Sequence, residues 1–370
     1  MSKENFFSNF VNSLSRRLFE VKEDHSLDLG NPRKFLIVRQ HNQLGDLLAG
    51  VSLFRAIKET YPESHITLIV SPFNFPGLVK NKFIDRLFVF DKRRLYNPFY
   101  LYKFIKLLRE EYDAAIVPVV VSISFTSNFI AGLSNTKIKI GAKKLDGKIN
   151  KSAYFFHRRV VLDWRMHPDS NVSERSLDIV RPFGINTNNY RSEISFDEAD
   201  IGSVKKYLNE IKYRPGHPLI GLHVGAGKLP NCWSLIKFVT LMKRLRDDYR
   251  AEYYLTGSNS DKEEIDYILK NYDARVHTFI NRTIPEVAAL ISLSDLFIDN
   301  DTGIMHVAGT TSTPQVSIFG PTNPFCWAPI GSNKIFVRRS ELIDDVTVQD
   351  VFEICEMLLD KNKKAANPNG

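Results

Sequence analysis

Apolar runs and amphipathic stretches alternate along the first half of the chain. KFLIVRQ (34–40) and HITLIVSP (65–72) are short and rich in β-branched residues, as buried parallel strands are. Between them, DLLAGVSLFRAIKETYP (46–62) places apolar residues at helical spacing and reaches Pro62. The pattern continues with a strand at 86–91, a helix through 101–112 and a strand at 114–121. This βαβ rhythm predicts a parallel sheet covered by helices.

The second half repeats the pattern. Its predicted elements are a strand with a glycine turn (218–227), a helix (234–249), a strand (251–257), a helix (261–272), a strand (276–280), a helix (283–294), a strand (295–300), a helix (303–311) and a strand (314–320). We therefore expect an α/β protein with two Rossmann-like, doubly wound domains.

Polar and turn-forming segments near 190–215 separate the two halves. The predicted organisation is an amphipathic leader (1–30), a first Rossmann-like domain (31–190), a linker region (191–212), a second Rossmann-like domain (213–345), a C-terminal helix (346–360) and a disordered tail (361–370).

In the leader, seven apolar residues share one helical face: Phe6, Phe7, Phe10, Val11, Leu14, Leu18 and Phe19. Such a helix either packs on its own domain, which we favour, or lies in a membrane interface.

Composition narrows the class of protein. With 43% hydrophobic and 25% charged residues, the 370-residue chain has the balance of an ordinary globular protein. No apolar run reaches the roughly 18 to 20 residues of a membrane span. Three widely separated cysteines and the lack of a secretion signal favour a reducing compartment, so we expect a cytoplasmic location.

The net charge of +8 is unevenly distributed. Residues 1–190 hold 29 Lys and Arg against 18 Asp and Glu, a net of +11, and the remainder has a net of −3. Such a basic half suits nucleic acid, an anionic membrane or a phosphorylated substrate, although no nucleic-acid-binding motif is present. The basic stretch 137–159 either binds an anionic acceptor or is a solvated loop, and its candidate acceptor-binding residues are Lys143, Lys144, Arg158 and Arg159.

The first candidate for chemistry is Asp46, which follows the first strand after a glycine turn. Ligands of doubly wound sheets bind beyond the carboxyl ends of the strands, so this carboxylate is well placed to contact one. It either caps the following helix or acts as a general base toward a hydroxyl nucleophile.

The second candidate is DLFIDNDTGIMHVAG (295–309), a strand that runs directly into a helix. The backbone amides after Asp301, with the Thr302 hydroxyl and the small Gly303, would suit a diphosphate, and His306 lies close enough to contact the same ligand. Asp299 and Asp301 also form a D-x-D pattern, but no cluster of further ligands accompanies it, so we expect no metal. Motifs of kinases, dehydrogenases, serine hydrolases and zinc peptidases are missing.

These residues resemble glycosyltransferase family nine, the ADP-heptose:lipopolysaccharide heptosyltransferases, over roughly 34–345. IDNDTGIMHVAGTTSTPQVSIFGPTNPFCWAPIG (298–331) is similar to the family's D-[ST]-G-x-x-H-x-A segment followed by F-G-P-T and a tryptophan. The opening strand with its Gly-Asp turn, LHVGAG (222–227) and LTGSNSD (255–261) are similar to three other family segments. The chain departs from the family where a Lys or Arg usually precedes the tryptophan by two positions, since Asn231 stands there, and where Val224 replaces a proline.

The resemblance implies a GT-B fold, in which two Rossmann-like domains face a cleft, and an inverting, metal-independent transfer without a cofactor. It implies that Asp46 is the general base and that the nucleotide-sugar, expected to be ADP-heptose, is bound by Asp301, Thr302, Gly303, His306, Gly225 and Asp261. Lys228, three residues before Asn231, is the nearest substitute for the missing cation and is a further candidate donor-binding residue. The basic half is then expected to bind an anionic, lipid-linked saccharide at the inner membrane. A nucleotide-sugar-binding protein without activity, or a transferase with another donor, is the alternative.

Overall fold

The computed structural model describes residues 12–40, 43–73 and 75–366. The chain divides into two compact units, Met1–Tyr190 and Arg191–Gly370. Each unit carries its own sheet and its own helices.

The first unit is built on a seven-stranded sheet. Its strands are β1 (Lys34–Arg39), β2 (His65–Val70), β3 (Arg86–Val89), β4 (Tyr112–Ile116), β5 (Thr136–Leu145), β6 (Lys148–Ile149) and β7 (Arg158–Leu162). Its helices are α1 (12–19), α2 (Leu44–Ala49), α3 (Val51–Thr60), α4 (Pro98–Arg109), α5 (Phe125–Leu133) and α6 (Val172–Arg175). The strand order is β3-β2-β1-β4-β5-β6, and β7 pairs with β5. Only β5 and β6 pair antiparallel among the described strands.

The second unit contains a six-stranded, parallel sheet. Its strands are β8 (Leu219–His223), β9 (Glu252–Gly257), β10 (His277–Ile280), β11 (Leu296–Asn300), β12 (Gln315–Ile318) and β13 (Lys334–Val337). Its helices are α7 (Glu198–Glu210), α8 (Leu235–Tyr249), α9 (Lys262–Asn271), α10 (Ile284–Ser292), α11 (Gly303–Gly309), α12 (Pro324–Trp327) and α13 (Val348–Ala366). The order β10-β9-β8-β11-β12-β13 is the Rossmann order 3-2-1-4-5-6, which confirms the predicted doubly wound fold.

The strand order reverses once in each sheet, between β1 and β4 and between β8 and β11. Ligands of doubly wound sheets bind outside the carboxyl ends of the strands at such switch points. Asp46 follows β1, Gly225 follows β8 and Asp301 follows β11. The topology therefore places these three predicted site residues beside the two switch points.

Hydrophobic side chains from strands and helices form the core of each unit. In the first unit, Leu36 and Val38 of β1 pack in one cluster with Phe104 and Leu107 of α4. In the second unit, the corresponding cluster joins β8 and β11 to α8 and α13 and includes Trp233. Among the described residues, no helix is both long enough and apolar enough to cross a bilayer.

Two predicted elements near Asp46 differ in the structure. The single helix predicted over 46–62 is two helices, α2 and α3, which meet at Gly50. The amide of Gly50 donates to the Leu47 carbonyl oxygen, three residues back, so the chain tightens there. The strand predicted over 114–121 ends at Ile116, two residues before Pro118, which has no amide to donate.

Three segments that the sequence assigns to a linker, a tail or a possible loop are more ordered than expected. The linker region 191–212 contains α7, which starts at a capping box of Asp197 and Asp200 and packs against α10. The predicted tail 361–370 is helical as far as Ala366, because its Lys and Ala residues favour a helix, and residues 367–370 lie outside the described chain. The basic stretch 137–151 forms β5 and β6 rather than a loop.

Candidate active site

Asp46 lies inside the first turn of α2 rather than at its cap. The helix begins at Leu44, so the N-cap is Gln43, and no side chain caps it. Asp46 is only 4% exposed, and its Oδ1 has no hydrogen-bond partner among the described residues. The alternative in which Asp46 serves as the cap of this helix is therefore wrong, and one carboxylate oxygen remains available to accept a proton.

Arg39 sets the electrostatics around Asp46. Its guanidinium, buried at the end of β1, donates from Nη2 to the Asp46 carbonyl oxygen at 3.0 Å and from Nη1 to the Pro118 carbonyl oxygen at 3.4 Å. Burial raises the pKa of Asp46, and the positive charge of Arg39 opposes that rise. The result is a desolvated carboxylate that stays close to a fixed cation, which is a suitable environment for a general base.

In the second unit, Asn300 joins the ends of β8 and β11. Its fully buried side chain donates from Nδ2 to the carbonyl oxygens of Val224 and Gly225, at 3.0 and 3.3 Å, and its Oδ1 accepts from the Trp233 amide at 3.2 Å. These bonds fix the backbone of both loops that carry predicted donor-binding residues.

Thr302 and Gly303 form the start of α11. Thr302 is the N-cap, but its side chain makes no capping bond, and its buried Oγ1 has no partner among the described residues. Gly303 is the first helical residue, so the amides that follow Thr302 lack helical acceptors. A hydroxyl and free amides at the carboxyl end of β11 suit a bound anion.

Asn231 contacts Asp301, the last residue before this turn. Its Nδ2 donates to Asp301 Oδ2 at 2.9 Å and to the Asp301 carbonyl oxygen at 3.3 Å. Burial raises the pKa of Asp301, whereas a hydrogen bond from Thr322 and the charge of Lys228 lower it. Asn231, which stands where the resembled family usually has a cation, thus orients Asp301. The cation that interacts with the Asp301 carboxylate is the exposed Lys228.

Gly225 and Asp261 are in direct contact. A Cβ at position 225 would lie 2.3 Å from Asp261 Oδ1. Asp261 Oδ2 accepts from the Ser258 amide at 2.7 Å and from the Ser258 hydroxyl at 3.0 Å. One oxygen of Asp261 is therefore held by its own turn, and its predicted contact with a ribose stays a prediction.

Replacing Gly225 with alanine is expected to weaken nucleotide-sugar binding roughly tenfold, the loss of about one hydrogen bond to a charged group. The added methyl group would displace the Asp261 carboxylate from its position. Gly227→Ala is the matched control, because a Cβ there meets nothing within 4 Å. Calorimetric titration of the two variants measures the difference, and equal affinities would remove the Gly225 loop from the donor site.

His306 is buried in α11, with its ring edge-on to Trp327 at 6.2 Å between centroids. Burial lowers its pKa to about 4. At neutral pH the imidazole is therefore uncharged, and it can offer a hydrogen bond to a ligand but no positive charge.

Stability should fall as the pH drops below about 6.5, because His306 binds a proton in the unfolded chain but not in the folded one. Between pH 7 and pH 5.5 this histidine alone lowers the free energy of unfolding by about 1 kcal/mol. His306→Asn, which does not titrate, should lose that part of the pH dependence in urea denaturation at the two pH values. An unchanged dependence would show that His306 is protonated equally in both states.

The D-x-D pattern does not provide two exposed ligands. Asp299 is fully buried and accepts from Gln315 Nε2 at 2.7 Å, and burial raises its pKa to about 8. A carboxyl group with that pKa is mostly protonated at neutral pH and a poor ligand for a cation. No group of three or more His, Cys, Asp or Glu side chains among the described residues is arranged to hold a metal.

Three of the four predicted acceptor-binding residues form ion pairs with the segment after α1. Lys143 and Arg159 both contact Glu23, at 2.9 and 3.3 Å, and the buried Arg158 contacts Asp24. Lys144 is exposed. The three pairs have a structural role in holding the leader, and an acceptor-binding role for any of the four residues stays a prediction.

The described part of the leader packs on the first unit. The Phe19 ring lies against Phe129 and Phe155, and the Tyr154 hydroxyl donates to Asn12 Oδ1 at 2.9 Å. Leu14 and Leu18 are exposed. The other apolar residues of the predicted face, Phe6, Phe7, Phe10 and Val11, lie outside the described residues.

Sequence reasoning missed Arg39, Asn231 and Asn300 as site residues. Arg39 and Asn300 each carried a signal, since each is a polar residue at the carboxyl end of a mostly apolar strand. A polar group in that position must find a partner, which here lies in the segments that follow the strands. Asn231 carried no such signal, because it lies in a short turn between β8 and α8 rather than at the end of a strand.

Comparisons with known proteins identify the family and the fold of the chain. The family model described as glycosyltransferase family 9 (heptosyltransferase) matches residues 101–353. Lipopolysaccharide heptosyltransferase 3 of Escherichia coli is 24% identical over 310 residues, which cover 79% of this chain and 85% of the relative.

Two solved structures share the fold. The family 9 glycosyltransferase from Veillonella parvula DSM 2008 has a TM-score of 0.79 at 18% identity and covers 92% of this chain and 100% of its own. The ADP-heptose lipopolysaccharide heptosyltransferase II of E. coli has a TM-score of 0.73 at 20% identity, with coverage of 89% and 99%. The expected GT-B fold is confirmed, and the chain belongs to glycosyltransferase family 9, the heptosyltransferase family.

Proposed function

We propose that this glycosyltransferase moves heptose from ADP-heptose to an anionic saccharide of the lipopolysaccharide core, with inversion and without a metal or cofactor. The reaction would take place at the cytoplasmic face of the inner membrane. The observation that carries the proposal is Asp46, a buried carboxylate with one unpartnered oxygen at the switch point of the first sheet. The two Escherichia coli proteins named above are described as heptosyltransferases, which supports the choice of sugar.

Asp46 would act on the acceptor. Its unpartnered Oδ1 takes the proton of the acceptor hydroxyl while that oxygen forms a bond to the anomeric carbon of the donor. The bond from the anomeric carbon to the diphosphate breaks in the same displacement, so the configuration at this carbon is inverted. Because burial raises the pKa of Asp46, its carboxylate is a stronger base than a solvated aspartate.

The second unit would hold the nucleotide and stabilise the leaving ADP. The Thr302 hydroxyl and the amides at the start of α11 can donate to the diphosphate, and Lys228 is an exposed cation that interacts with the adjacent Asp301. His306, neutral at pH 7, would donate or accept one hydrogen bond. These groups supply the stabilisation that a metal ion provides in other transferases.

The departures at Asn231 and Val224 favour testing other donors alongside ADP-heptose. The experiment is a thermal-shift and transfer assay of the purified chain with ADP-, GDP-, UDP- and dTDP-sugars, using a phosphorylated core oligosaccharide as acceptor. We expect stabilisation by ADP-heptose and transfer from it in the presence of EDTA. Transfer from another nucleotide-sugar but not from ADP-heptose would overturn the choice of donor.

A further inference from the structure

Helix α4 presents aromatic side chains to solvent. Phe99 is 66% exposed and Tyr102 62%, and Tyr96, just before the helix, is 87% exposed. The opposite face is buried through Tyr100, Phe104, Leu107 and Leu108, so the helix is firmly attached to the first unit. Large aromatic residues exposed together on an anchored helix indicate a surface that binds something.

Lysines share this outward face. Phe99, Tyr102, Lys103 and Lys106 stand at helical positions i, i+3, i+4 and i+7, and the Lys103 ammonium lies 4.3 Å from the centroid of the Phe99 ring. The segment 92–109 contains six Lys and Arg residues and no Asp or Glu. Within the described part of the chain, no ion pair is recorded for Lys103 or Lys106. This face, made of Tyr96, Phe99, Tyr102, Lys103 and Lys106, is called the α4 face below.

The α4 face differs from the other basic stretch of the first unit. In that stretch Lys143, Arg158 and Arg159 are compensated by Glu23 and Asp24. The cations of the α4 face instead stand among exposed aromatic rings. The positive charge that the sequence places in the first half is therefore available for a partner here.

We propose that the α4 face docks on an anionic lipid surface. Tyrosine and related aromatic rings favour the level of the lipid headgroups, and Lys side chains next to them attract acidic headgroups. A second copy of the chain fits less well, because a symmetric contact would bring the same cations together. A planar surface of negative charge matches both the rings and the lysines.

The topology relates the α4 face to the site. Helix α4 follows β3, and β3, β2 and β1 are parallel. The start of α4 therefore lies at the carboxyl ends of these strands, where Asp46 follows β1. Adjacent strands are about 4.8 Å apart, which puts the end of β3 roughly 10 Å from that of β1. Docking would hold the carboxyl ends of these strands close to a membrane from which a lipid-linked acceptor projects. Only this last step rests on the proposed function.

Vesicle flotation of the full chain tests the docking. We expect binding to vesicles of 70% phosphatidylcholine and 30% phosphatidylglycerol, and much weaker binding to pure phosphatidylcholine. Each lysine near an anionic surface contributes about fivefold to the partition coefficient, so K103Q/K106Q should lower it about thirtyfold. F99S/Y102S should also weaken binding to the vesicles, and this loss should persist at high salt. The matched control is K205Q/K270Q, which removes two exposed helical lysines from the second unit.

The proposal would be overturned if K103Q/K106Q bound vesicles as well as the wild type does. It would also be overturned if the main effect of either variant, measured by sedimentation, were a loss of self-association. Circular dichroism confirms that the variants fold. Transfer to a soluble, deacylated acceptor should be unchanged in both variants, because the α4 face is outside the proposed site. If the wild type lacks that transfer, the proposed function fails, while flotation still decides whether the α4 face binds lipid.

Discussion

Replacing Asp46 with asparagine is expected to lower kcat for sugar transfer by about 10²- to 10⁴-fold, the contribution typical of a general base. Asparagine keeps the shape of the side chain but cannot accept the proton from the acceptor hydroxyl. Affinity for the nucleotide-sugar should be unchanged, because the predicted donor-binding residues belong to the second unit. Steady-state kinetics and calorimetric titration of the same preparation measure the two effects.

The control for this variant is Asp163→Asn, which removes an exposed carboxylate of the first unit and changes the net charge equally. A thermal melt is also needed, since Asp46 partly compensates the buried charge of Arg39. A folded Asp46→Asn protein with near-normal kcat would show that another group takes the proton.

Replacing Trp233 with alanine is expected to destabilise the second unit by about 3–5 kcal/mol, the usual cost of removing a large buried aromatic side chain. Trp233 is fully buried, packs edge-on against Phe238 at 4.9 Å between ring centroids and donates from Nε1 to the Val346 carbonyl oxygen at 2.9 Å. Chemical denaturation, followed by a probe in the second unit, measures the loss.

Trp233→Phe separates packing from hydrogen bonding, because it keeps a ring and removes only the indole donor. Its expected cost is about 1–2 kcal/mol. Both variants should also weaken donor binding, since the Trp233 amide bonds to Asn300 and the preceding loop carries Asn231 and Lys228. A fully stable alanine variant would mean that the loop is held by its backbone bonds alone.

Much of the fold could be predicted because strand and helix periods are local properties of the sequence. The alternating apolar runs indicated two doubly wound sheets, and the switch points lie beside the predicted turns. Local patterns predict where a helix or strand ends less well than they predict that it exists. The break between α2 and α3 at Gly50 depends on a single hydrogen bond. Helix α7 depends on its capping box and on packing against α10.

The composition of the site was less predictable than its position. The turns of Asp46 and Asp301 follow from motif spacing, but Arg39, Asn231 and Asn300 act through partners that only the folded chain brings near. The ion pairs of Glu23 join residues more than 100 positions apart, so a sequence pattern could not distinguish them from free cations. The exposure of Phe99 and Tyr102 is likewise a result of packing.

The anomeric configuration of the product tests the central claim most directly. The purified chain is incubated with ADP-heptose and a core oligosaccharide in EDTA, and the new linkage is assigned by NMR. A single displacement assisted by Asp46 predicts a product with the configuration opposite to that of the donor, formed at the rate measured without EDTA. A product of retained configuration, or transfer that stops when metal ions are removed, would contradict this mechanism.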